Sequence, residues 1–177
     1  MVKDTGGKLD KVCVGLNWGA IETTVNVKEG SFLGFGGTIV RKKKKVEVDL
    51  DASCILLDSN KQVLEIIYFG NLKSKTGFVN HSGDDLTGDM DGDDGLDNEI
   101  ITVNLEKLPA NVDQIVFFLN SYKKQDFADI PFATIRIYEG TPERVDTEFA
   151  TLDVANGSEF AGKISMIMGK FYRVNGE

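Results

Sequence analysis

The hydrophobic residues of this chain alternate with polar residues far more often than they recur at the 3.6-residue spacing of a helix. Alternation at a period of two places every second side chain on one face, which is typical of half-buried strands. The segments that alternate are short and rich in Val, Ile, Thr and Phe. We therefore predict ten strands, at residues 11–18, 23–29, 45–58, 62–69, 100–105, 114–122, 132–139, 147–154, 163–169 and 170–177.

Turn signals separate these predicted strands, and no amphipathic helix of three turns can be drawn. Asn-Gly pairs, for example, occur at 156–157 and 175–176. Residues 106–113 and 123–130 could each form one helical turn. Many short, evenly spaced strands with few helices predict an all-β protein, either a β-sandwich or a β-barrel.

The length and composition of the chain indicate one folded domain. With 177 residues, of which 41% are hydrophobic, the chain can bury a core of ordinary size. No stretch approaches the roughly 18 apolar residues of a membrane span, and the opening MVKDTGGKLDK lacks the apolar part of a secretory signal. We expect a single cytoplasmic domain over residues 1–177, in which Cys13 and Cys54 are buried free thiols.

A glycine-rich segment and a run of five basic residues interrupt the alternation. Residues 29–40 lack the lysine and the following helix of a phosphate-binding loop, so we predict a flexible hairpin or loop there. Residues 41–45, RKKKK, are typical of a solvated strand edge, where lysines discourage pairing with another sheet. A contact with anionic lipid head groups, at about 1 kcal/mol per base, is the alternative for this basic run.

The excess acidic residues of the chain are concentrated in one internal segment. Residues 84–99 contain eight carboxylates and no Lys or Arg. Outside this acidic segment, 20 acidic residues balance 20 Lys and Arg residues, so the formal net charge of −8 comes from the segment alone. A neutral body argues against a nucleic acid partner, which needs a basic surface.

The crowding of carboxylates in the acidic segment predicts a bound divalent cation. Two carboxylates about 4 Å apart repel by roughly 4 kcal/mol at an effective dielectric near 20, yet predicted strands hold both ends of the segment. The donors are oxygens alone, which favours a hard ion, and an irregular glycine-punctuated loop favours Ca²⁺ over Mg²⁺. We expect one or two Ca²⁺ ions, with ligands among Asp84, Asp85, Thr87, Asp89, Asp91, Asp93, Asp94, Asp97 and Glu99.

The acidic segment does not match an EF-hand loop. A twelve-residue loop that starts at Asp89 has acids at its positions 1, 3 and 5. However, Asp94 stands at the sixth position, where Gly is needed, and Ile100 replaces the bidentate Glu of the twelfth. The flanking segments are predicted strands, whereas an EF-hand needs helices.

A second acidic pair lies on a predicted strand. Asp49 and Asp51 alternate with Val48 and Leu50, so both carboxylates share one face of the sheet. This pair could complete a cation site if its strand ends beside the acidic segment. An exposed strand face is the alternative.

The acidic segment and its surroundings resemble the signature of the TerD family of tellurite-resistance and stress-response proteins. The stretch GDDLTGDMDGDDGLDNEI, followed by VNLEKLP, is similar to the family pattern G-D-N-L-T-G, then G-D-D-E, then a strand. The resemblance extends over nearly all of the chain, through VGLNW (14–18), VDLDASCILLD (48–58), FGNLKSKTGFVNHSGD (69–84), QIVFFLNSY (114–122), FATIRI (132–137) and GKFYRVNGE (169–177).

This resemblance implies a two-sheet β-sandwich with a long acidic calcium-binding loop. It also implies a cytoplasmic protein without enzymatic activity, which works with other tellurite-resistance proteins near the inner face of the membrane. The ligand region carried over by motif comprises Asp84, Asp85, Thr87, Asp93 or Asp97, Asp94 and Glu99, with Asp49 and Asp51 on the family's acidic strand. Residues 95–98, GLDN, lengthen the loop, so the alignment stays open between Asp93 and Asp97.

The expected function is calcium binding without catalysis, in a protein of the tellurite-resistance or stress-response type. A calcium-dependent peripheral membrane or protein-interaction module that uses residues 41–45 is the alternative. The only histidine, His81, adjoins Ser82, but neighbouring strand residues point apart and no catalytic triad can be assembled. We expect His81 to be a solvated loop residue or a turn contact, and we expect no nucleic acid partner and no small-molecule substrate.

Overall fold

The computed structural model describes residues 9–30 and 37–174, and these form strands for the most part. The strands in chain order are β1 Lys11–Trp18, β2 Ile21–Glu29, β3 Thr38–Val46, β4 Leu50–Leu57, β5 Val63–Ile67, β6 Val79–His81, β7 Glu99–Asn104, β8 Gln114–Ser121, β9 Ala133–Thr141, β10 Arg144–Asp153 and β11 Ser165–Tyr172. Short 3-10 helices lie at Leu105–Lys107, Phe127–Asp129 and Ser158–Phe160. Among the described residues, no helix is long and apolar enough to span a membrane.

Two antiparallel sheets pack face to face as a β-sandwich, which confirms the predicted fold class. The larger sheet has the strand order β10-β9-β1-β7-β6, and the smaller has the order β11-β8-β4-β5. Strands β2 and β3 form a separate two-stranded antiparallel sheet. That small sheet carries the basic run and was not expected as a unit of its own.

The core lies between the two large sheets, where the alternating apolar residues of their strands meet. Leu16 and Trp18 of β1 and Ile101 of β7 face Leu50 of β4 and Leu119 of β8 in one cluster of fully buried side chains. Burying each of these side chains contributes about 1.5–3 kcal/mol. The sequence alternation therefore reports which face of each strand turns inward.

Strand β1 is buried on both of its faces, and part of the acidic segment lies against the face that points away from the core, where Asp97 packs on Gly15 and Asp93 accepts a hydrogen bond from Asn17. The backbone N–H of Asp89 donates to the carbonyl of Trp18 at 2.9 Å, and Ala20 N–H donates to the carbonyl of Asp89 at 3.1 Å. Further along, Asn98 N–H donates to the carbonyl of Leu16 at 2.9 Å. Backbone hydrogen bonds thus hold this segment against β1.

The strand boundaries differ from the predicted ones in a few places. The predicted strand 45–58 is interrupted at residues 47–49, so that Asp49 precedes β4. A single strand, β11, with a register shift between Ile167 and Gly169, replaces the predicted pair 163–169 and 170–177. The three-residue strand β6 is too short to produce a recognisable alternation and was not predicted.

Parts of some predictions lie outside the described residues. These parts are the first eight residues, with the opening stretch tested for a secretory signal, residues 31–36 of the glycine-rich segment, and residues 175–177 of the last predicted strand. Within the described part, Cys13 and Cys54 are both buried and free, as the sequence predicted.

Candidate cation site

Among the residues that the structure describes, two groups of three carboxylates lie close enough together to hold a cation. The first acidic cluster consists of Asp49, Asp51 and Asp84, and the second consists of Asp89, Asp93 and Asp94. In each cluster, one carboxylate oxygen from every residue lies within 4.8 Å of the others. The condition stated for Asp49 and Asp51 is therefore met, because their strand lies beside the acidic segment, and the alternative of an exposed strand face is wrong since both residues are buried.

Backbone hydrogen bonds position the first acidic cluster where the start of β4 meets the acidic segment. Val48 N–H donates to the carbonyl of Thr87 at 3.2 Å, and the indole Nε1 of Trp18 donates to the carbonyl of Val48 at 2.8 Å. On the other side, Tyr122 N–H donates to the carbonyl of Asp49 at 2.9 Å. The cluster is thus fixed from three parts of the chain.

Glu99 joins the two segments that carry the first acidic cluster. Its Oε2 accepts a hydrogen bond from Ala52 N–H at 2.7 Å, and its Oε1 accepts one from Asp85 N–H at 3.2 Å. These two donors are the sequence neighbours of Asp51 and Asp84 respectively. The fully buried Glu99 therefore sets the separation of the two cluster residues and is not itself a member of the cluster.

The first acidic cluster contains buried carboxylate oxygens without partners. Oδ1 of Asp49 and Oδ2 of Asp51 are buried and make no hydrogen bond with any residue that the structure describes. Both residues line a cavity of about 120 Å³. A buried oxygen without a partner costs free energy, and a cation in the cavity would remove that cost.

Burial and nearby carboxylates oppose ionisation of Asp49 and Asp51. Burial, followed by the charges of Glu99, Asp49 and Asp84, raises the pKa of Asp51 to about 7. The pKa of Asp49 is also raised, mainly by burial and also by Asp84, although Lys123 opposes this. A divalent cation would favour the ionised forms of both carboxyl groups.

The second acidic cluster is more exposed, and its oxygens are already hydrogen bonded. Asp89 Oδ2 accepts from Asp94 N–H and Asp89 Oδ1 accepts from the Asn98 side chain, both at 3.1 Å. Asp93 Oδ1 accepts from Nδ2 of Asn17 at 2.8 Å. These hydrogen bonds stabilise the loop and already satisfy carboxylate oxygens. A cation would therefore stabilise the second cluster less than the first.

Two of the predicted ligands, Asp85 and Thr87, hold a turn of the acidic segment. Asp85 Oδ1 accepts hydrogen bonds from Thr87 N–H at 2.9 Å, from the Thr87 hydroxyl at 3.1 Å and from Gly88 N–H at 3.0 Å. Burial raises the pKa of Asp85, but these hydrogen bonds outweigh burial and lower it overall. The structure places both side chains outside the two clusters.

Two further predicted ligands pair with basic side chains. Asp91 lies 2.7 Å from Nζ of Lys45, and Asp97 lies 2.7 Å from Nε of Arg136. Of the two alignments left open by the lengthened loop, the structure therefore brings Asp93 and not Asp97 into a carboxylate cluster.

His81 is buried, so the expectation of a solvated loop residue is wrong. Its Nε2 donates to the carbonyl of Ala52 at 2.9 Å, and its Nδ1 accepts from Gly83 N–H at 3.1 Å, which is a turn contact. His81 lies on β6, the strand that the alternation did not reveal. The ring serves to connect β6 with β4.

Sequence reasoning missed four residues around the first acidic cluster. Phe69, Leu86 and Tyr122 line the cavity with the three carboxylates, and Nζ of Lys123 lies 3.7 Å from Oδ2 of Asp49. Phe69 and Tyr122 end predicted strands, but local alternation does not show which side chains from distant strands and loops lie together. The motif FGNL contains Phe69, but nothing in the sequence connected it with Tyr122.

The basic run lies on β3, at the edge of the small sheet, and its side chains are exposed. Lys42 forms an ion pair with Glu29, Lys43 pairs with Glu22 at 2.6 Å, and Lys45 pairs with Asp91. The prediction of a solvated strand edge is confirmed.

The fold and the site together define an all-β sandwich protein in which an inter-strand acidic loop and a second strand gather carboxylates. The chain matches the TerD domain over residues 1–177 and belongs to the TerD family, as the motifs indicated. This family includes proteins named for tellurium resistance and for stress response.

Relatives in sequence support this family assignment, and a solved structure shares the fold. The chain is 37% identical to stress response protein SCP2 of Bacillus subtilis, over 98% of this chain and 82% of that protein. It is 40% identical to tellurium resistance protein TerZ of Serratia marcescens, over 75% of this chain and 61% of that protein. A crystal structure of a telluride resistance protein (TerD) homologue from Streptomyces coelicolor superposes with a TM-score of 0.64 at 17% identity, covering 95% and 83% of the two chains, and shows a shared fold.

Proposed function

We propose that this protein binds Ca²⁺ at the first acidic cluster, and a second Ca²⁺ at the second cluster, as a non-enzymatic stress-response protein of the tellurite-resistance type. The observation that carries the proposal is the pair of buried, unpartnered oxygens on Asp49 and Asp51. Asp84 supplies the third carboxylate of the first site. The names of the relatives support the stress-response part.

The donor set of the first cluster suits calcium. All its side-chain donors are oxygens, which hard cations prefer. Its members come from the irregular residues 47–49, from β4 and from the acidic segment. Nothing in this arrangement imposes the octahedral ligand geometry that Mg²⁺ requires, whereas Ca²⁺ accepts irregular angles. Calcium held there would neutralise the charges that crowd around Asp51.

A non-enzymatic role is supported by the positions of the candidate catalytic groups. Both ring nitrogens of His81 are hydrogen bonded to the backbone and the ring is buried, so the ring cannot serve as a base at the cavity. Both thiols are buried as well. We further propose a cytoplasmic location, with other tellurite-resistance proteins as partners.

The basic run is not included in the proposed site. Lys42, Lys43 and Lys45 already pair with acidic side chains, which reduces the positive charge available to anionic lipids. Liposome sedimentation with and without calcium tests the alternative module directly. Calcium-dependent sedimentation that is lost on replacing residues 42–45 by Gln would favour that alternative.

Calorimetry on metal-stripped protein tests the proposed function. We expect heat of binding on titration with CaCl₂, and a melting temperature that rises with free calcium because the ion binds only the folded state. Titration with MgCl₂ serves as the comparison. Absence of both binding heat and thermal stabilisation by calcium would overturn the proposal.

A further inference from the structure

The cavity of the first acidic cluster has carboxylates on one side and an apolar wall on the other. The wall consists of Phe69, Leu86 and Tyr122, which are 38%, 55% and 62% exposed. The rings of Phe69 and Tyr122 lie 6.0 Å apart with an interplanar angle of 89°. Such a group of exposed large apolar side chains beside a polar cavity is typical of a binding site.

The wall is held at the cavity by the same segments that carry the carboxylates. The backbone of Tyr122 is hydrogen bonded to that of Asp49, and Nζ of Lys123 donates to the carbonyl of Leu86 at 2.9 Å. The backbones of Leu86 and Tyr122 are therefore held beside the cluster, and their side chains are exposed to solvent.

The first acidic cluster provides too few free oxygens to complete a calcium shell. Oδ2 of Asp49 faces Lys123, and Asp51 is hydrogen bonded to the Asn120 side chain. One oxygen each from Asp49 and Asp51 and two from Asp84 leave at most four unengaged carboxylate oxygens. Because calcium takes six to eight oxygens, the side chains of the cluster leave at least two positions for other donors, among them backbone carbonyls, water or an outside oxyanion.

We propose that calcium in the first acidic cluster binds a small organic oxyanion, a carboxylate or phosphate attached to an aromatic or apolar group. This inference rests on the proposed calcium binding. The oxyanion fills the open calcium positions beside the Lys123 ammonium, and the apolar group packs on the Phe69–Tyr122 wall. The ligand is bound and not converted.

The size of the cavity agrees with an oxyanion group bound inside it and an apolar group left outside it. Whole organic ligands usually occupy roughly 300–1,000 Å³, whereas this cavity measures about 120 Å³. The cavity therefore suits the cation and the oxyanion group. The apolar part of the ligand is left at the mouth, where Leu86 and Tyr122 are most exposed.

Nuclear magnetic resonance titration with phenyl phosphate tests the inference on the full chain, with inorganic phosphate as the comparison. In the presence of calcium, phenyl phosphate should bind about three- to tenfold tighter than inorganic phosphate, because one aromatic contact contributes a factor of this size. Its amide shifts should centre on residues 69, 86 and 122. Chelation of calcium should abolish the binding.

A matched pair of variants completes the test. Tyr122→Ala should lose the preference for phenyl phosphate, whereas Tyr172→Ala should retain it, since Tyr172 is similarly exposed, at 59%, but lies on β11 away from the cavity. Both replaced rings are exposed, so both variants should fold. Calcium affinity should be the same in both.

Three results would overturn the inference. These are equal binding of phenyl phosphate after chelation, an unchanged preference in Tyr122→Ala, and no phenyl phosphate binding together with calcium-dependent binding to phosphatidylserine vesicles. The last result would assign the wall to a membrane surface. If calcium binds by calorimetry and phenyl phosphate does not, only this inference fails; if calcium itself does not bind, the proposed function fails.

Discussion

Oε2 of Glu99 lies 3.5 Å from Nε2 of His81, and both side chains are fully buried. The same carboxylate accepts the backbone N–H groups of Ala52 and Asp85. Glu99 thus connects β6, β7, β4 and the start of the acidic segment at one buried point. A residue that the sequence suggested as a cation ligand is a structural connector beside the site.

Replacement of Glu99 tests this role. In Glu99→Gln the side chain keeps its size but has only one oxygen that can accept a hydrogen bond. One of the two backbone N–H groups therefore loses its acceptor. We expect the free energy of unfolding to fall by about 2–3 kcal/mol, measured by urea denaturation, and calcium affinity to fall as well. Glu106→Gln, at an exposed position, should change stability by less than about 0.5 kcal/mol. Equal stability of both variants would contradict the connecting role.

Removal of a cluster carboxylate tests the location of the first cation. Asp51→Asn should weaken the binding of one calcium ion at least tenfold by calorimetry, because it removes a charge from a buried ligand oxygen. Asp91→Asn is the matched control, since Asp91 belongs to the same acidic surface but pairs with Lys45 and is 98% exposed. The assignment is contradicted if Asp91→Asn weakens binding as much as Asp51→Asn.

The raised pKa of Asp51 predicts a pH dependence. Its pKa rises from an ordinary value of 3.8 to about 7 in the folded protein, so between these values the folded state holds a proton that the unfolded state has released. The contribution of this group to the stability of the calcium-free protein therefore falls as pH rises from about 4 to about 7. Calcium binding displaces the proton, so calcium affinity should fall by up to about tenfold per pH unit below 7.

Two measurements check this pH dependence. Calorimetric titrations with calcium between pH 5.5 and 8 give the affinity, and urea denaturation of the calcium-free protein gives its stability. Asp51→Asn should stabilise the calcium-free protein by about 1–3 kcal/mol at pH 8 and by less at pH 5. A stability difference between variant and parent that does not change with pH would contradict the raised pKa.

The contact between Gly15 and Asp97 predicts that this strand glycine does not tolerate a side chain. A Cβ at Gly15 would lie 2.0 Å from the Asp97 carboxylate, so Gly15→Ala must displace it from Arg136. We expect a loss of about 2–4 kcal/mol in the free energy of unfolding. A Cβ at Gly169 meets no atom of the described residues within 4 Å, so Gly169→Ala should cost less than about 0.5 kcal/mol. Thermal denaturation of the two variants compares them, and equal losses would contradict the close contact.

The two cysteines should be unreactive in the folded protein. Burial raises the pKa of Cys13, and burial with the charge of Glu65 raises the pKa of Cys54 to about 12. Since the thiolate is the reactive form, a colorimetric thiol reagent should modify neither cysteine at pH 8 and both in denaturant. Rapid modification of the native protein would show that one of them is accessible.

Much of the fold was predictable because it depends on local pattern. Alternation along the chain decides which side chains can share a face, so strands such as β1 and β8 were predicted to within one residue. The location of the acidic excess is likewise a property of the sequence. Alternation failed at β6, which is too short to alternate, and gave no signal at β3, whose basic run was interpreted as a strand edge from its lysines alone.

The sequence by itself determined an all-β chain with its charge excess in one segment, and it named the carboxylates from which a cation site could be built. Only the tertiary structure decided which of them meet. Asp49 and Asp51 lie beside Asp84 because β4 packs against the acidic segment, whereas Asp97 forms an ion pair with Arg136. The physical reason is that such contacts depend on sheet packing between residues distant in sequence, which no local spacing encodes.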